Sequence, residues 1–528
     1  MTTEYKGTFA GKNIQVFNSN KSCSLKNLKS RLSKYRLCDA LKLIGTLSQD
    51  LFKDKSPFYI LNDIPITEGI LAYLAMELIQ NTDDSKERIP NYNDIAIASK
   101  MYLSIDEAID KNRTDGTIEM VVRYGTSQFE YNRPVNHIIS RTLIIYDHLW
   151  QQHSSRININ DTIFKICGLT IKEILIMTLY IIGITKNNGY FRIDKINFEG
   201  NASNNIISLL SDFEKKEAYT KWLSTTYSDF KKYYMVNFGQ CEKIKKYPKN
   251  KFNYLVSRPI IIPDINPNPT FSKPFIIPLI RLLLEKVTLG LYHEFNNFFK
   301  NSSTSNEFRQ EYGKVFEKYV ILLIENFNKN IQFNIIQEFD YDHNKKTSDI
   351  IMIYDDKAVF IEIKQSCFYL NSKLFGEIEE IEKDARQTIA YAVKQLWKFE
   401  TNLLSKKFEK LHELYKINYV ERLIITNDSC YFTNSLLKEC INNTVKKEIP
   451  NFDENYYIHT MSIEDFETLL GIENINVYEF LKIKRENKEY SKYDFNDYLA
   501  EKFGDKSNNE FLDRIYKEFF ENIKESLK

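Results

Sequence analysis

Glycine is scarce in this sequence, with 16 in 528 residues, and there is no P-loop, no G-x-G-x-x-G and no G-x-S-x-G. Without a glycine-lined phosphate cradle, activity driven by ATP or NAD is not expected. Paired cysteines are missing as well. The seven cysteines (Cys23, Cys38, Cys167, Cys241, Cys367, Cys430 and Cys440) are scattered, with no C-x-x-C. An odd number without framework spacing predicts reduced thiols in a cytosolic protein and argues against structural zinc. His293-Glu294 and His412-Glu413 begin like H-E-x-x-H, but Asn297 and Lys416 stand at the closing positions, so no zinc-protease site forms. Long apolar runs are absent too. The greasiest, Ile174 to Ile184, has 11 residues, whereas a membrane-spanning helix needs about 20; it reads as a buried helix. The N-terminus offers no apolar stretch for a signal peptide. The expectation is a cytoplasmic chain with no membrane contact. Finally, charge of one sign is lacking: 72 basic residues against 71 acidic give +1. Any polyanion-binding surface must therefore be local.

What is present suggests several units. A chain of 528 residues is too long for one core, and 43% hydrophobic with 27% charged residues is ordinary for a folded protein. Six of the twelve prolines fall between Pro259 and Pro278, which predicts extended, irregular backbone there. A helical pattern follows, and then the polar stretch Asn301 to Asn306, where the main boundary is placed. Residues 1–300 read as a helix-rich, mixed α+β recognition or sensing region. Thr170 and Glu173 form a capping box ahead of the apolar helix, and strand-like runs stand at Asn13–Phe17 and Thr117–Gly125. No internal repeat is visible.

Residues 306–475 read as an α/β unit. An amphipathic helix runs through FRQEYGKVFEKYVILLIENF, and IQFNIIQEFDY reads as a strand. SDIIMIYDDKAVFIEIKQS reads as two strands joined at Asp355-Asp356. A long helix from about Leu374 to Leu404, a strand at VERLIIT, a helix at TNSLLKECINNTVKKE, a strand at YYIHTMS and a short helix capped by Ser462 complete the order α-β-β-β-α-β-α-β. Residues 476–528 form a charged, helical extension.

The tripeptide Glu-x-Lys occurs four times and means nothing by itself. Only Glu362–Lys364 sits inside an apolar strand, VFIEIK. Residues two apart on a strand share a face, so the two side chains should project together from a mostly buried sheet. A hairpin would bring Asp349, which opens the preceding strand, beside Glu362. Two hard carboxylates can hold Mg²⁺, which neutralises a phosphate and acidifies a bound water. A neighbouring lysine can orient that water and stabilise the charge that develops.

At these residues the chain resembles the PD-(D/E)xK nuclease superfamily, the fold of restriction endonucleases and RecB-like nucleases. The resemblance covers about 170 residues. It implies a restriction endonuclease-like αβββαβ core in which Asp349, Glu362 and the backbone carbonyl of Ile363 bind Mg²⁺, with Mn²⁺ able to substitute, while Lys364 serves the attacking water. The helix glutamate of that family is matched by Glu317, or less well by Glu311. The Gln-x-x-x-Tyr of RecB-like members is matched by Gln387 and Tyr391, which share one helix face. Ser348 stands where proline often precedes the aspartate. Arg386 and Lys394 are candidates for phosphate contact. The resemblance further implies a DNA endonuclease acting on double-stranded DNA, in a restriction or anti-phage setting, as a homodimer or with a partner subunit of a defence system. The rival readings are a catalytically silent nucleic-acid-binding module and an RNA-cleaving, toxin-like nuclease. The acidic run Gly376–Ala385 reads as a solvated helix face, and the basic, aromatic stretch Lys243–Phe252 as a charged loop rather than a phosphate track.

Overall fold

The computed structural model describes all residues except 1–2, 10–11, 19–22, 55–58, 63, 106–133, 155, 187, 197–203, 240, 244–249, 267–271, 302–303, 328–331, 366–368, 376, 430–433, 435–436, 454, 505–507 and 528. The fold is mixed α/β. The strand read at Thr117–Gly125 lies outside the described residues, as does most of the basic stretch beginning at Lys243.

Helices dominate the first 300 residues. The capping box at Thr170 and Glu173 is present and starts the helix Ile171–Ile184. Ile174, Leu175, Met177 and Ile181 of that helix are buried. No single helix among the described residues is long and apolar enough to cross a membrane, although Ile159–Cys167 and Ile171–Ile184 meet that test together as a pair bent by 49°. Asn13–Phe17 lies in a strand, Lys12–Asn18, paired with Thr3–Phe9. The proline-rich stretch contributes two short strands, Ile260–Ile262 and Phe275–Ile276, to a small four-stranded sheet. The helical pattern after it runs as two helices, Ile280–Lys286 and Leu291–Asn301.

Around the candidate site the elements are α1 (Ser305–Glu325), β1 (Asn334–Gln337), β2 (Ile350–Tyr354), β3 (Lys357–Lys364), α2 (Ile378–Leu404), β4 (Tyr419–Thr426), α3 (Lys438–Glu448), β5 (His459–Ser462), α4 (Ile463–Leu470) and α5 (Val477–Glu486). The strands form one sheet in the order β5-β4-β3-β2-β1. The β1/β2 and β2/β3 pairs are antiparallel, and β3/β4 and β4/β5 are parallel. The strand expected across Ile331–Tyr341 ends at Gln337. Asp340–Asp342 pairs instead with Lys345–Lys346 as a separate small hairpin, so Phe339 bonds Thr347 rather than extending β1.

The period of two in β3 sorts its side chains between two cores. Val359, Ile361 and Ile363 face a cluster shared with α1, α4 and α5. Ala358 and Phe360 face a second cluster, built on α2 and α3. The sheet is thus sandwiched between helical layers. On α2 the buried stripe Ile381, Ala385, Ile389, Val393, Leu396, Phe399 and Leu403 recurs at three- and four-residue steps, which is what keeps this 27-residue helix flat on the sheet. Burying each large apolar side chain of that stripe contributes roughly 1.5–3 kcal/mol.

The stretch 301–306 is crossed by the larger cluster, which runs from Ile138 to Ile523. Arg141, on the helix Val135–Thr142, bonds Glu467 at 2.7 and 2.8 Å and Glu464 at 2.8 Å, both on α4. The final helix, Glu510–Leu527, packs on the same early helix, with Ser140 Oγ donating to the Leu512 carbonyl at 2.7 Å.

Candidate active site

The β2–β3 hairpin turns through Asp355 and Asp356, and Asp355 takes a left-handed φ of 56°. Aspartate tolerates that conformation better than most side chains. The turn fixes the register at Tyr354↔Lys357 and runs it to Ile350↔Ile361. One more step puts Asp349 opposite Glu362. There the Ile363 amide donates to Asp349 Oδ2 at 2.6 Å, tying the two strand ends together through the carboxylate itself.

Asp349, Ile363, Lys364, Gln387 and Tyr391 line one cavity of about 340 Å³, together with Glu317 and Gly313 from α1, Gln365 and Thr388. Glu362 lies behind that surface. It is 1% exposed, and its Oε2 accepts from Lys364 Nζ at 2.8 Å. The two remaining candidates are engaged elsewhere. Arg386 pairs with Glu382 on its own helix at 2.6 Å, and Lys394 with Glu448 at 2.7 Å, although Lys394 stays near the Tyr391 ring. Glu311 is also drawn off, bonding Lys314 at 2.9 Å. Of the acidic run before Arg386, Glu379 and Lys383 are exposed and Glu377 pairs with Lys243 at 2.5 Å. Asp384 is buried and accepts from the Tyr369 amide and the Ser372 hydroxyl at 2.7 and 2.6 Å.

One residue of this site escaped the sequence reading. Gln395, on α2 four residues beyond Tyr391, accepts from Lys364 Nζ at 2.7 Å. Gln387, Tyr391 and Gln395 stand in one i,i+4 row, but the row alone does not mark Gln395 as a partner of Lys364.

The electrostatics are those of crowded, buried acids. Burial, and then the neighbouring Asp349 charge, push Glu362 up to about 8 and Glu317 up to about 7. Burial also raises Asp349, against the opposing pull of Lys364 and the Ile363 amide. Desolvation works against the ammonium of Lys364, but Glu362 and Asp349 outweigh it and hold its pKa above the ordinary value. Glu362 and Asp349 thus lean on one buried cation, Lys364, while Glu317 feels Asp349 together with the cations Lys318 and Lys346.

Whether a divalent ion fits depends on the oxygen donors that the site offers. Among the described residues no group of three or more His, Cys, Asp or Glu side chains is placed to hold a metal. Mg²⁺, however, is usually held by one or two carboxylates, with water and substrate phosphate completing its shell. Asp349 and Glu362 are two carboxylates of the kind such a site uses, each with one oxygen already engaged, by the Ile363 amide and by Lys364. Compared with known proteins, the chain matches no family model, no curated sequence and no solved structure.

Proposed function

We propose that the chain is a metal-dependent nuclease that hydrolyses phosphodiester bonds, DNA being the expected substrate, at a restriction endonuclease-like αβββαβ core. The sheet order, with three antiparallel strands followed by two parallel ones and helices on both faces, supports that core. The observation that carries the reading is the tie between Asp349 and the Ile363 amide at 2.6 Å, with Lys364 and Glu362 bonded at 2.8 Å beside it. A structural ion pair at a strand end would not need a second buried carboxylate, a third from α1 and an open cavity in front of them.

Asp349 and Glu362 would hold Mg²⁺, which when bound neutralises the scissile phosphate and acidifies a water. The remaining work falls to the chain's own groups. An ammonium has three donors; at Lys364 Nζ two are engaged by Glu362 and Gln395. The third can orient the attacking water or meet the phosphate oxygen on which charge develops. The Glu317 carboxylate, poised to titrate near neutrality, can hold or accept a proton at the cavity wall. Gln387, on the exposed side of α2, offers an amide to a backbone phosphate.

The test is cleavage of plasmid, single-stranded circular DNA and RNA by the full-length chain with and without Mg²⁺. Cutting that needs the metal and disappears in Lys364→Ala, with circular dichroism unchanged, supports the reading. Binding without cutting under any divalent metal would make the chain a silent module instead.

A further inference from the structure

The Lys364 end of β3 runs beyond its antiparallel neighbour. Glu362, Ile363 and Lys364 lie past the last β2 pair, Ile350↔Ile361. There the Ile363 amide is met by Asp349, while the Lys364 carbonyl accepts from the Asn427 amide at 3.1 Å. Asn427 stands one residue after the end of β4, where a strand frays most easily. Its side chain, however, is pinned: Asn427 Oδ1 accepts from the Tyr312 hydroxyl of α1 at 3.0 Å. The next residue closes the corner. Thr426 Oγ1 donates to the Asp428 carbonyl at 2.8 Å, and the Asp428 carboxylate pairs with Lys373 on the short helix Leu370–Phe375 that precedes α2. One corner thus ties α1, the end of β3 and the approach to α2.

The tyrosine at 312 points to that corner. Phe308, Tyr312 and Phe316 form an i,i+4 row on α1, and all three are buried. Phenylalanine serves at both neighbouring turns. Tyr312 packs among aromatic rings in the same way, with Tyr292, Phe316 and Tyr146 at centroid distances of 4.7, 6.1 and 6.3 Å. A buried hydroxyl costs stability unless it is hydrogen-bonded, so packing alone favours a third phenylalanine. What the hydroxyl adds is the hold on Asn427. Resting on the nuclease reading of Lys364, we infer that Tyr312 and Asn427 form a strut that positions this lysine. The phenol fixes the Asn427 side chain, and the Asn427 backbone fixes the strand end from which the lysine projects. Glu362 and Gln395 hold the tip of that side chain; the strut holds its root. Misplacing such a group by about 1 Å can cost up to about a hundredfold in rate. Both are positioning residues, acting through Lys364.

Steady-state kinetics on DNA and hydrogen-exchange mass spectrometry of the full-length, metal-free chain test the strut together. Tyr312→Phe and Asn427→Ala should each lower kcat about tenfold and leave KM within a factor of about three. Phenylalanine already occupies the neighbouring positions of the row, so Tyr312→Phe should fold. Because the two residues make one contact, the double variant should lose no more than about what each single one loses. In either variant, peptides covering Ile361–Gln365 should exchange faster while those of α5 keep the parent's rate. Unchanged kcat in both single variants, or losses that multiply to about a hundredfold in the double, overturn the inference. If the parent cuts no nucleic acid, exchange alone decides. Faster exchange confined to the end of β3 then supports the strut while the nuclease reading fails, and exchange indifferent to both variants removes the strut as well.

Discussion

Lys364 Nζ is held between two acceptors, Glu362 Oε2 at 2.8 Å and Gln395 Oε1 at 2.7 Å. The second contact locks a flexible four-carbon side chain against α2, so Gln395 acts as a positioning residue. Gln395→Leu should lower kcat about tenfold, or about 1.4 kcal/mol in the barrier, and leave KM within a factor of about three. Gln395→Glu, which keeps an acceptor oxygen, should recover most of the loss. Steady-state kinetics on a short DNA substrate provide the readout; an equal fall in affinity for both variants would contradict the positioning role.

The buried acids make a pH prediction whose sign is fixed. Glu362 rises from 4.5 to about 8 and Glu317 from 4.5 to about 7, so the folded, metal-free protein holds these protons more tightly than the unfolded chain. Their contribution to stability is complete below about 4.5 and is lost as pH rises towards 8. A divalent ion must displace those protons. Mn²⁺ should therefore raise Tm more at pH 8.5 than at pH 5.5, and Glu362→Gln should stabilise the metal-free protein at alkaline pH while abolishing cutting. Differential scanning calorimetry at the two pH values measures both effects.

Glu317 and Glu311 share a helix but not a role. Glu317 lines the cavity, whereas Glu311 pairs with Lys314 at 2.9 Å. Glu317→Gln should reduce cutting at least tenfold, and Glu311→Gln should stay within about twofold of the parent. Comparable losses in both would show that the helix matters only as scaffold.

Stability should depend on a buried contact that takes no part in the proposed chemistry. Arg141 is 3% exposed and holds Glu467, which also accepts from Tyr319 at 2.5 Å. Replacing Arg141 with Met leaves a buried carboxylate unpaired, an error that costs about 3–5 kcal/mol. Urea unfolding of the variant should show that loss as one cooperative shift, because the contact joins the helix Val135–Thr142 to α1 and α4.

The legible part of the site was the part governed by the period of two. Asp349, Glu362 and Lys364 could be placed on one sheet face because the strand pattern and the Asp-Asp turn fix the register locally, and the turn and register are as expected. The choice of Glu317 over Glu311 rested on the resemblance rather than on the helix pattern, which allows either. Gln395 was missed because an amide on a long amphipathic helix carries no distinguishing signal until Lys364 is known to reach it. Pairing partners such as Glu382 and Glu448, which occupy Arg386 and Lys394, depend on rotamers and on a distant helix. The end of β1 at Gln337 was illegible for a similar reason: IQFNIIQEFDY alternates well enough for one strand, and only the competing Lys345–Lys346 pairing divides it. Across 301–306, polar composition marked a domain boundary, but nothing local revealed that the apolar residues on both sides would share one cluster.

The central claim is that Asp349 and Glu362 are jointly a divalent-ion site. Anomalous scattering from crystals grown with Mn²⁺ tests it most directly. A peak about 2.0–2.6 Å from carboxylate oxygens of both residues, lost in Asp349→Asn, is the predicted result. No peak there at saturating Mn²⁺, with Lys364 still clasped by Glu362, would contradict it.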